Sequence, residues 1–152
     1  MKYFTKQLCR YKPKFFSAKK IEKQWQKANE DYLEHCRQIE PYLPEFFKCF
    51  NIDGVSGMHD CLITGNGFVG KNFSMDIDSS GGFCNVKNLT FINAEILESD
   101  SIPNNNAFWL YDEVYFYQDR KDRYEMHILF AMPHYGLAEM IIVFDDIIID
   151  GN

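Results

Sequence analysis

The spacing of apolar residues changes near residue 58, and this change limits the possible folds more than any other feature of the sequence. Before it, apolar side chains recur at steps of three and four: Ile21, Trp25, Ala28, Tyr32, Cys36 and Ile39. That spacing places them on one face of an α-helix. After it, apolar residues tend to recur at every second position, as in strands with one buried face.

The helical segment has recognisable ends. Ser17 is a residue type that is favoured at the N-cap of a helix, where its hydroxyl can accept a backbone N–H. Pro41 disfavours a helical conformation at the residue before it, so the helix should end near Glu40. The sequence therefore predicts an amphipathic helix from about Ser17 to Glu40.

Segments with strand character follow, separated by polar turns: 59–64, 68–77, 84–97, 107–117, 124–132 and 137–149. Asn66-Gly67, between the first two, predicts a hairpin turn. Because no helical pattern separates the strands, we expect neighbouring strands to run antiparallel. The predicted fold is α+β: an N-terminal amphipathic helix packed on an antiparallel meander sheet of about six strands.

Size and composition set further limits. The 152 residues predict a single domain, with a helical part at 1–50 and a sheet part at 58–150. No apolar run reaches the roughly 18 residues of a membrane helix, and the N-terminus carries charge where a signal peptide needs an apolar run. The five cysteines are an odd number without Cys-x-x-Cys spacing. We therefore expect a cytoplasmic protein with no membrane contact, cofactor or metal.

Charge is unevenly distributed along the chain. Residues 1–27 hold nine Lys or Arg and one acid, which gives 9 − 1 = +8. The remainder holds seven Lys or Arg and 21 acids, which gives 7 − 21 = −14. Such asymmetry is typical of a surface for a charged partner, or of two segments of one fold that attract each other. The sequence leaves both interpretations open.

The candidate interaction surface lies in the last strands. Strand alternation places Asp112 and Glu113 on opposite faces, so they cannot act as a pair, and puts Glu113 on the side of Trp109, Tyr111, Tyr115 and Tyr117. Aromatic residues are enriched in protein-binding surfaces, but the same row also suits the solvated side of a sheet under a helix. The leading hypothesis is a protein-binding module that engages a basic partner through Asp112, Glu113, Tyr115, Tyr117, Glu125 and His127. A metal site formed by Glu113, Glu125 and His127 would require a strand register that the sequence does not specify.

Two other functional classes remain open. His59, Asp60 and Cys61 could serve a metal-dependent or thiol enzyme, since His59 and Cys61 share a face of the predicted strand and an imidazole can accept a thiol proton. An inert core cysteine beside a turn aspartate explains the same residues, so an enzyme is the less expected outcome. The basic, aromatic residues 2–27 could contact nucleic acid, although the net charge of −6 argues against it.

Several short motifs resemble a family of small, uncharacterised bacterial proteins: Met1–Lys6, Tyr42–Glu45, Met58–Ile63, Ser80–Gly82 and Trp109–Glu113. Together these motifs extend over most of the chain. The stretch His59-Asp60-Cys61 is also similar to segments of immunity proteins that block secreted bacterial toxins. The resemblance implies a non-enzymatic domain with an unknown protein partner, an immunity-like role, and no catalytic residue. It leaves the oligomeric state unspecified.

Overall fold

The computed structural model describes residues 1–10, 18–44, 47, 51–52, 55–100, 106–133 and 136–151. Its long helix, α2, spans Ala18–Ile39, close to the predicted bounds, whereas the predicted N-cap Ser17 lies outside the described residues. Contrary to the prediction, this helix is not the N-terminal element. Residues 1–10 precede it and include a short helix, α1, at Lys6–Arg10.

The described residues also contain ten strands and two 3-10 segments. The strands are β1 Asn51–Ile52, β2 Val55–Ser56, β3 Leu62–Val69, β4 Asn72–Asp78, β5 Asn88–Ile92, β6 Glu95–Ser99, β7 Ala107–Phe116, β8 Tyr124–Met132, β9 Gly136–Phe144 and β10 Asp146–Asp150. The 3-10 segments are Glu40–Tyr42 and Tyr117–Asp119.

The antiparallel α+β architecture is confirmed, but the prediction of about six strands in a meander is wrong. The main sheet has eight strands in the order β10-β5-β4-β3-β7-β8-β9-β6, and β1 pairs with β2 separately. Two of the predicted strands are each divided in two. Asn93, at φ 50°, separates β5 from β6, and a bend at Asp145 separates β9 from β10.

These two bends are joined where the sheet curls over its own core. Asp145 accepts hydrogen bonds from Arg123 Nη1 at 2.8 Å and from Asn93 Nδ2 at 2.9 Å. The curl brings Phe91 of β5 to Phe144 of β9, with ring centroids 5.0 Å apart, although four strands lie between them in the sheet order. The enclosed face of the sheet therefore forms a continuous apolar core.

The first hairpin turns at a different place from the predicted one. Gly65, Asn66 and Gly67 lie inside β3, and the turn is Gly70-Lys71, with Gly70 at φ 63°. Gly65 faces Asp76 so closely that an added Cβ would lie 2.8 Å from the Asp76 carboxylate. Here glycine permits a close cross-strand approach rather than a turn.

The N-terminal segment and α2 cover the outer face of the β7–β9 half of the sheet. Phe4 is buried and stacks on Tyr111, with 4.9 Å between the ring centroids. Trp25 of α2 approaches the same tyrosine, at 5.2 Å. This half of the sheet is therefore sandwiched between the apolar core and the helical layer.

Candidate functional site

Glu113, the centre of the surface predicted from the sequence, is completely buried. Its carboxylate accepts backbone N–H groups from Lys2, Tyr3 and Phe4 at 2.7, 2.8 and 2.7 Å. The Tyr115 hydroxyl donates to the same carboxylate at 2.6 Å. Burial, followed by the charge of Glu113, raises the pKa of Tyr115, so that hydroxyl remains a protonated donor. The carboxylate thus anchors the N-terminal segment to β7.

A β-bulge at Leu110 changes the facing of the strand relative to the prediction. Trp109 pairs with Phe130 and Tyr111 with Leu129, so one residue of β7 is extra between them. Trp109 therefore lies in the core and not beside Glu113. The buried Asp112 lies on the core side with it and accepts the Trp109 indole N–H at 2.9 Å.

The free edge of β7 is covered by two side chains of α2. Strand β3 pairs with β7 only at Phe108 and Ala107, within the described register. Further along, Val114 donates its N–H to the Tyr32 hydroxyl at 3.1 Å, and its carbonyl accepts His35 Nε2 at 2.8 Å. Side-chain partners thus satisfy backbone groups that would otherwise be unpaired in a partly buried place.

The register, left open by the sequence, pairs Glu113 with His127 and Tyr115 with Glu125. His127 Nε2 lies 2.6 Å from Glu125 Oε1, and its Nδ1 lies 3.5 Å from Glu139 Oε1. Within the described residues there is no group of three or more His, Cys, Asp or Glu arranged to hold a metal ion. Tyr115, Glu125 and His127 are half-buried beneath the N-terminal segment. Tyr117 follows the last residue of β7 and lies near the Arg123 guanidinium.

His59, Asp60 and Cys61 are brought together only in part. Residues 57–60 form a turn with Asp60 at φ 66°, so the prediction that His59 and Cys61 share a strand face is wrong. His59 Nδ1 lies 3.2 Å from Asp60 Oδ2, and its ring packs against that of Tyr111 in a T-shaped arrangement, with 5.2 Å between the centroids. The Cys61 thiol is fully buried, and its Sγ lies 3.8 Å from Cys84 Sγ.

The described basic residues near the N-terminus belong to the covering layer. Lys6 pairs with Asp100, and Lys27 Nζ lies 3.0 Å from Asp31. A cavity of about 510 Å³ lies between residues 2–8 and α2. Its lining includes one lysine from each side, Lys2 and Lys20. Part of the predicted nucleic-acid segment, residues 11–17, lies outside the described residues.

A second sheet surface, not recognised from the sequence, is the outer face of β4, β5 and β10. We term this surface the open face; it comprises Ser74, Asp76, Asp78, Asn88, Thr90, Ile92, Asp146, Ile148 and Asp150. Both helices pack instead on the β7–β9 half of the sheet. All four aspartates of the open face and Ile148 are exposed to solvent.

The open face has an acidic part and an apolar part. Asp150 lies opposite Asn88, which in turn lies opposite Asp76. The row beside it has the exposed Ile148 opposite Thr90. Every charged residue at these nine positions is an aspartate. The sequence does contain a signal for this face, the alternation Asp146-x-Ile148-x-Asp150. It becomes visible only when the predicted strand 137–149 is divided into two strands.

Among the described residues, no helix is both long enough and apolar enough to cross a membrane. A family model described as "Protein of unknown function (DUF4085)" matches residues 3–142. No curated protein and no solved structure matched the chain.

Proposed function

Since the chain belongs to this family of unknown function, we propose its role from the geometry: it is a non-catalytic module that binds a basic surface of another protein through the open face. The observation that supports the proposal most is the contrast between the two outer faces of the sheet. One is covered by the chain itself, and the other displays four exposed aspartates.

The charge of the open face suits a partner rich in Lys and Arg. Four aspartates lie at its nine positions, whereas the adjoining β4–β5 loop brings one exposed cation, Lys87, beside them, so the charge is net negative. Asp78 accepts the Ser80 backbone N–H at 3.0 Å, which lowers the pKa of its carboxyl and keeps it ionised. A field of one sign steers an oppositely charged partner and raises its association rate.

The surface also offers uncharged contacts that a protein partner can use. Ser74, Asn88 and Thr90 form a hydrogen-bonded ladder, with Asn88 Nδ2 donating to Ser74 Oγ at 2.8 Å. Ile148 is 57% exposed in the middle of edge strand β10. Polar groups beside exposed apolar side chains are typical of the rim and centre of an interface.

The area of the open face indicates how far the interface extends. Strands spaced about 4.8 Å apart and about 17 Å long give three strands roughly 250 Å² of face, whereas a typical interface buries about 800 Å² on each partner. The partner must therefore cover neighbouring surface as well. The end of the β3–β4 hairpin is suitable, because Val69, which pairs with Asn72 on the outward side, is 77% exposed there.

The surface originally predicted from the sequence is less suited to this role. Asp112 and Glu113 are buried and bonded within the chain, and Glu125 and His127 bond to each other. We therefore place the acidic binding surface on the opposite half of the sheet. An immunity-like role is one form of the same proposal, in which the basic partner is a toxin domain.

The test is affinity capture from the native cell with a charge-neutralised variant. Asp76→Asn, Asp146→Asn and Asp150→Asn together remove three charges without changing the turn at Asp78. Each exposed charge pair contributes roughly 0.5 kcal/mol, so we expect about tenfold weaker retention of the partner. Retention by the wild-type protein should also fall as salt is raised.

A variant with the same net charge controls for long-range effects. Glu22→Gln, Glu30→Gln and Glu40→Gln neutralise three exposed acids of α2 and its C-terminal end, away from the open face. This control should retain the partner as well as the wild-type protein does. The assignment of binding to the open face would be contradicted if the open-face variant retained the partner as well as the wild-type protein does. It would also be contradicted if both variants lost the partner to the same extent.

A further inference from the structure

Two cysteine thiols lie together where the loop that joins β4 to β5 meets the start of β3. Cys61 Sγ and Cys84 Sγ are 3.8 Å apart, and Met58 Sδ lies 3.4 Å from Cys84 Sγ. We propose that Cys61 and Cys84 form a reversible dithiol–disulfide pair that is oxidised by a peroxide, with Cys84 as the thiol that reacts first.

The backbone around the two thiols is held on both sides. The Phe83 N–H donates to the Gly57 carbonyl at 3.1 Å, which attaches the loop to the turn that precedes β3. Gly82 passes so close over Cys61 that an added Cβ would lie 2.3 Å from its sulfur. The β4–β5 loop thus keeps the two thiols next to each other. Glycine at position 82 allows this close approach, because a side chain there would collide with the Cys61 sulfur.

Disulfide formation requires a small movement. A disulfide has an S–S distance of about 2.05 Å, so the sulfurs must approach by about 1.8 Å. Rotation about the Cα–Cβ bonds moves a sulfur by such a distance. The oxidised state can therefore form without separating the β4–β5 loop, which carries Cys84, from the start of β3, which Cys61 precedes.

The two thiols differ in exposure and in acidity, which determines the order of the reaction. Cys61 is fully buried, whereas Cys84 is only half-buried. The hydrogen bond from the Cys61 thiol lowers the pKa of Cys84, while that bond and burial raise the pKa of Cys61. Because the thiolate is the nucleophile, Cys84 is the thiol that meets an oxidant from solvent.

The reaction balances with hydrogen peroxide as the oxidant. The Cys84 thiolate attacks one peroxide oxygen and breaks the O–O bond, giving a sulfenic acid and hydroxide, which takes up a proton to become water. The Cys61 thiol then attacks the Cys84 sulfur, forms the S–S bond and releases the sulfenic oxygen as a second water. Two electrons pass from the two sulfurs to the peroxide, and a dithiol reductant reverses the change.

The disulfide would restrain the β4–β5 loop. It would join two residues that are 23 positions apart in the chain and fix the loop that presents Phe83, which is 67% exposed. In the unfolded chain, the disulfide would also tie residues 61 and 84 together and so lower the conformational entropy of that chain. We therefore expect oxidation to raise the midpoint of thermal unfolding by about 5–10 °C.

The experiment treats the full-length protein with hydrogen peroxide, alkylates the remaining thiols and maps the cysteines by peptide mass spectrometry. We expect an intact mass lower by about 2 Da, a peptide pair linking Cys61 to Cys84, and reversal by dithiothreitol. A Cys9→Ser, Cys36→Ser double variant should form the same link, because neither of these thiols takes part.

Two single variants assign the order of the steps. Cys84→Ser should remove the link and leave Cys61 open to alkylation after unfolding, whereas Cys61→Ser should accumulate a dimedone-reactive sulfenic acid at Cys84. The wild-type measurement remains decisive if either variant fails to fold. Alkylation of both Cys61 and Cys84 after peroxide treatment, or a link between other cysteines, would overturn the proposal.

Discussion

Replacing Glu113 with glutamine tests how the N-terminal segment is held on the sheet. The wild-type carboxylate accepts four hydrogen bonds of 2.6–2.8 Å, three of them from the backbone N–H groups of Lys2, Tyr3 and Phe4. Glu113→Gln preserves the size of the side chain but removes its charge. It also turns one acceptor oxygen into an NH2 group, which cannot accept the Lys2 N–H.

The expected loss follows from the four contacts. Hydrogen bonds to a charged group contribute about 1.5–3 kcal/mol each, and neutral ones about 1 kcal/mol. The variant loses the contacts of one oxygen and weakens those of the other, for a gross loss of about 4–6 kcal/mol. The neutral amide is less costly to bury than the carboxylate, which offsets part of this loss. We expect a net decrease of about 2–4 kcal/mol in the free energy of unfolding, a large part of the 5–15 kcal/mol typical of a domain.

Urea denaturation measures the decrease, and amide hydrogen exchange locates it. In the wild-type protein, the amides of Lys2, Tyr3 and Phe4 should be protected, and Glu113→Gln should remove that protection first. Glu125→Gln is the matched control on the neighbouring strand, since its carboxylate bonds to His127 and to no described N-terminal amide. The glutamine amide of the control can still form a neutral hydrogen bond to His127, so we expect it to lose about 1–2 kcal/mol and to leave the three amides protected.

Two results would refute this account of Glu113. One is a free energy of unfolding for Glu113→Gln within about 0.5 kcal/mol of the wild-type value, which is the range of ordinary surface substitutions. The other is rapid exchange of the three amides in the wild-type protein itself. Either result would mean that the buried carboxylate does not hold residues 2–4 in solution.

Three further predictions concern the edge of β7, the sheet bend and the thiols. Tyr32→Phe removes the acceptor of the Val114 N–H and should lower the free energy of unfolding by about 1–2 kcal/mol in urea denaturation. Asp145→Ala removes the acceptor that joins the two bends and should cost a similar amount, whereas Asp122→Ala, at an exposed ion pair, should cost about 0–1 kcal/mol. Burial raises the pKa of Cys9 to about 11, whereas the pKa of Cys84 is lowered. At about pH 8, Cys84 should therefore carry more thiolate and react faster with iodoacetamide, and a faster reaction at Cys9 would contradict this order.

The helix and the antiparallel sheet were predictable because they depend on local periodicity. The spacing of apolar residues in α2 and the alternation in β8 are properties of short stretches of sequence. The number of strands was not predictable in the same way. Asp145 lies between two apolar runs, and the bend there depends on Arg123 and Asn93, which are 22 and 52 positions away.

The candidate site shows the same limit. Alternation identified Glu113 as an acid within an aromatic strand, but the bulge at Leu110 placed Trp109 on the other face. Nothing in the residues of β7 signals that bulge. Three of the four partners of Glu113 are backbone N–H groups about 110 positions away, and a backbone group has no sequence signature. The Glu113 carboxylate, which the sequence suggested as a contact for a partner protein, is therefore hydrogen-bonded within its own chain.

Carboxylate-directed cross-linking in the native cell, followed by mapping of the linked residues, tests binding through the open face most directly. Coupling of acids to nearby amines should link Asp76, Asp146 or Asp150 to lysines of one protein, and the Asp76→Asn, Asp146→Asn, Asp150→Asn variant should lose those links. Links to the same protein that lie on the acids of α2, and that persist in this variant, would show that the chain binds through another surface.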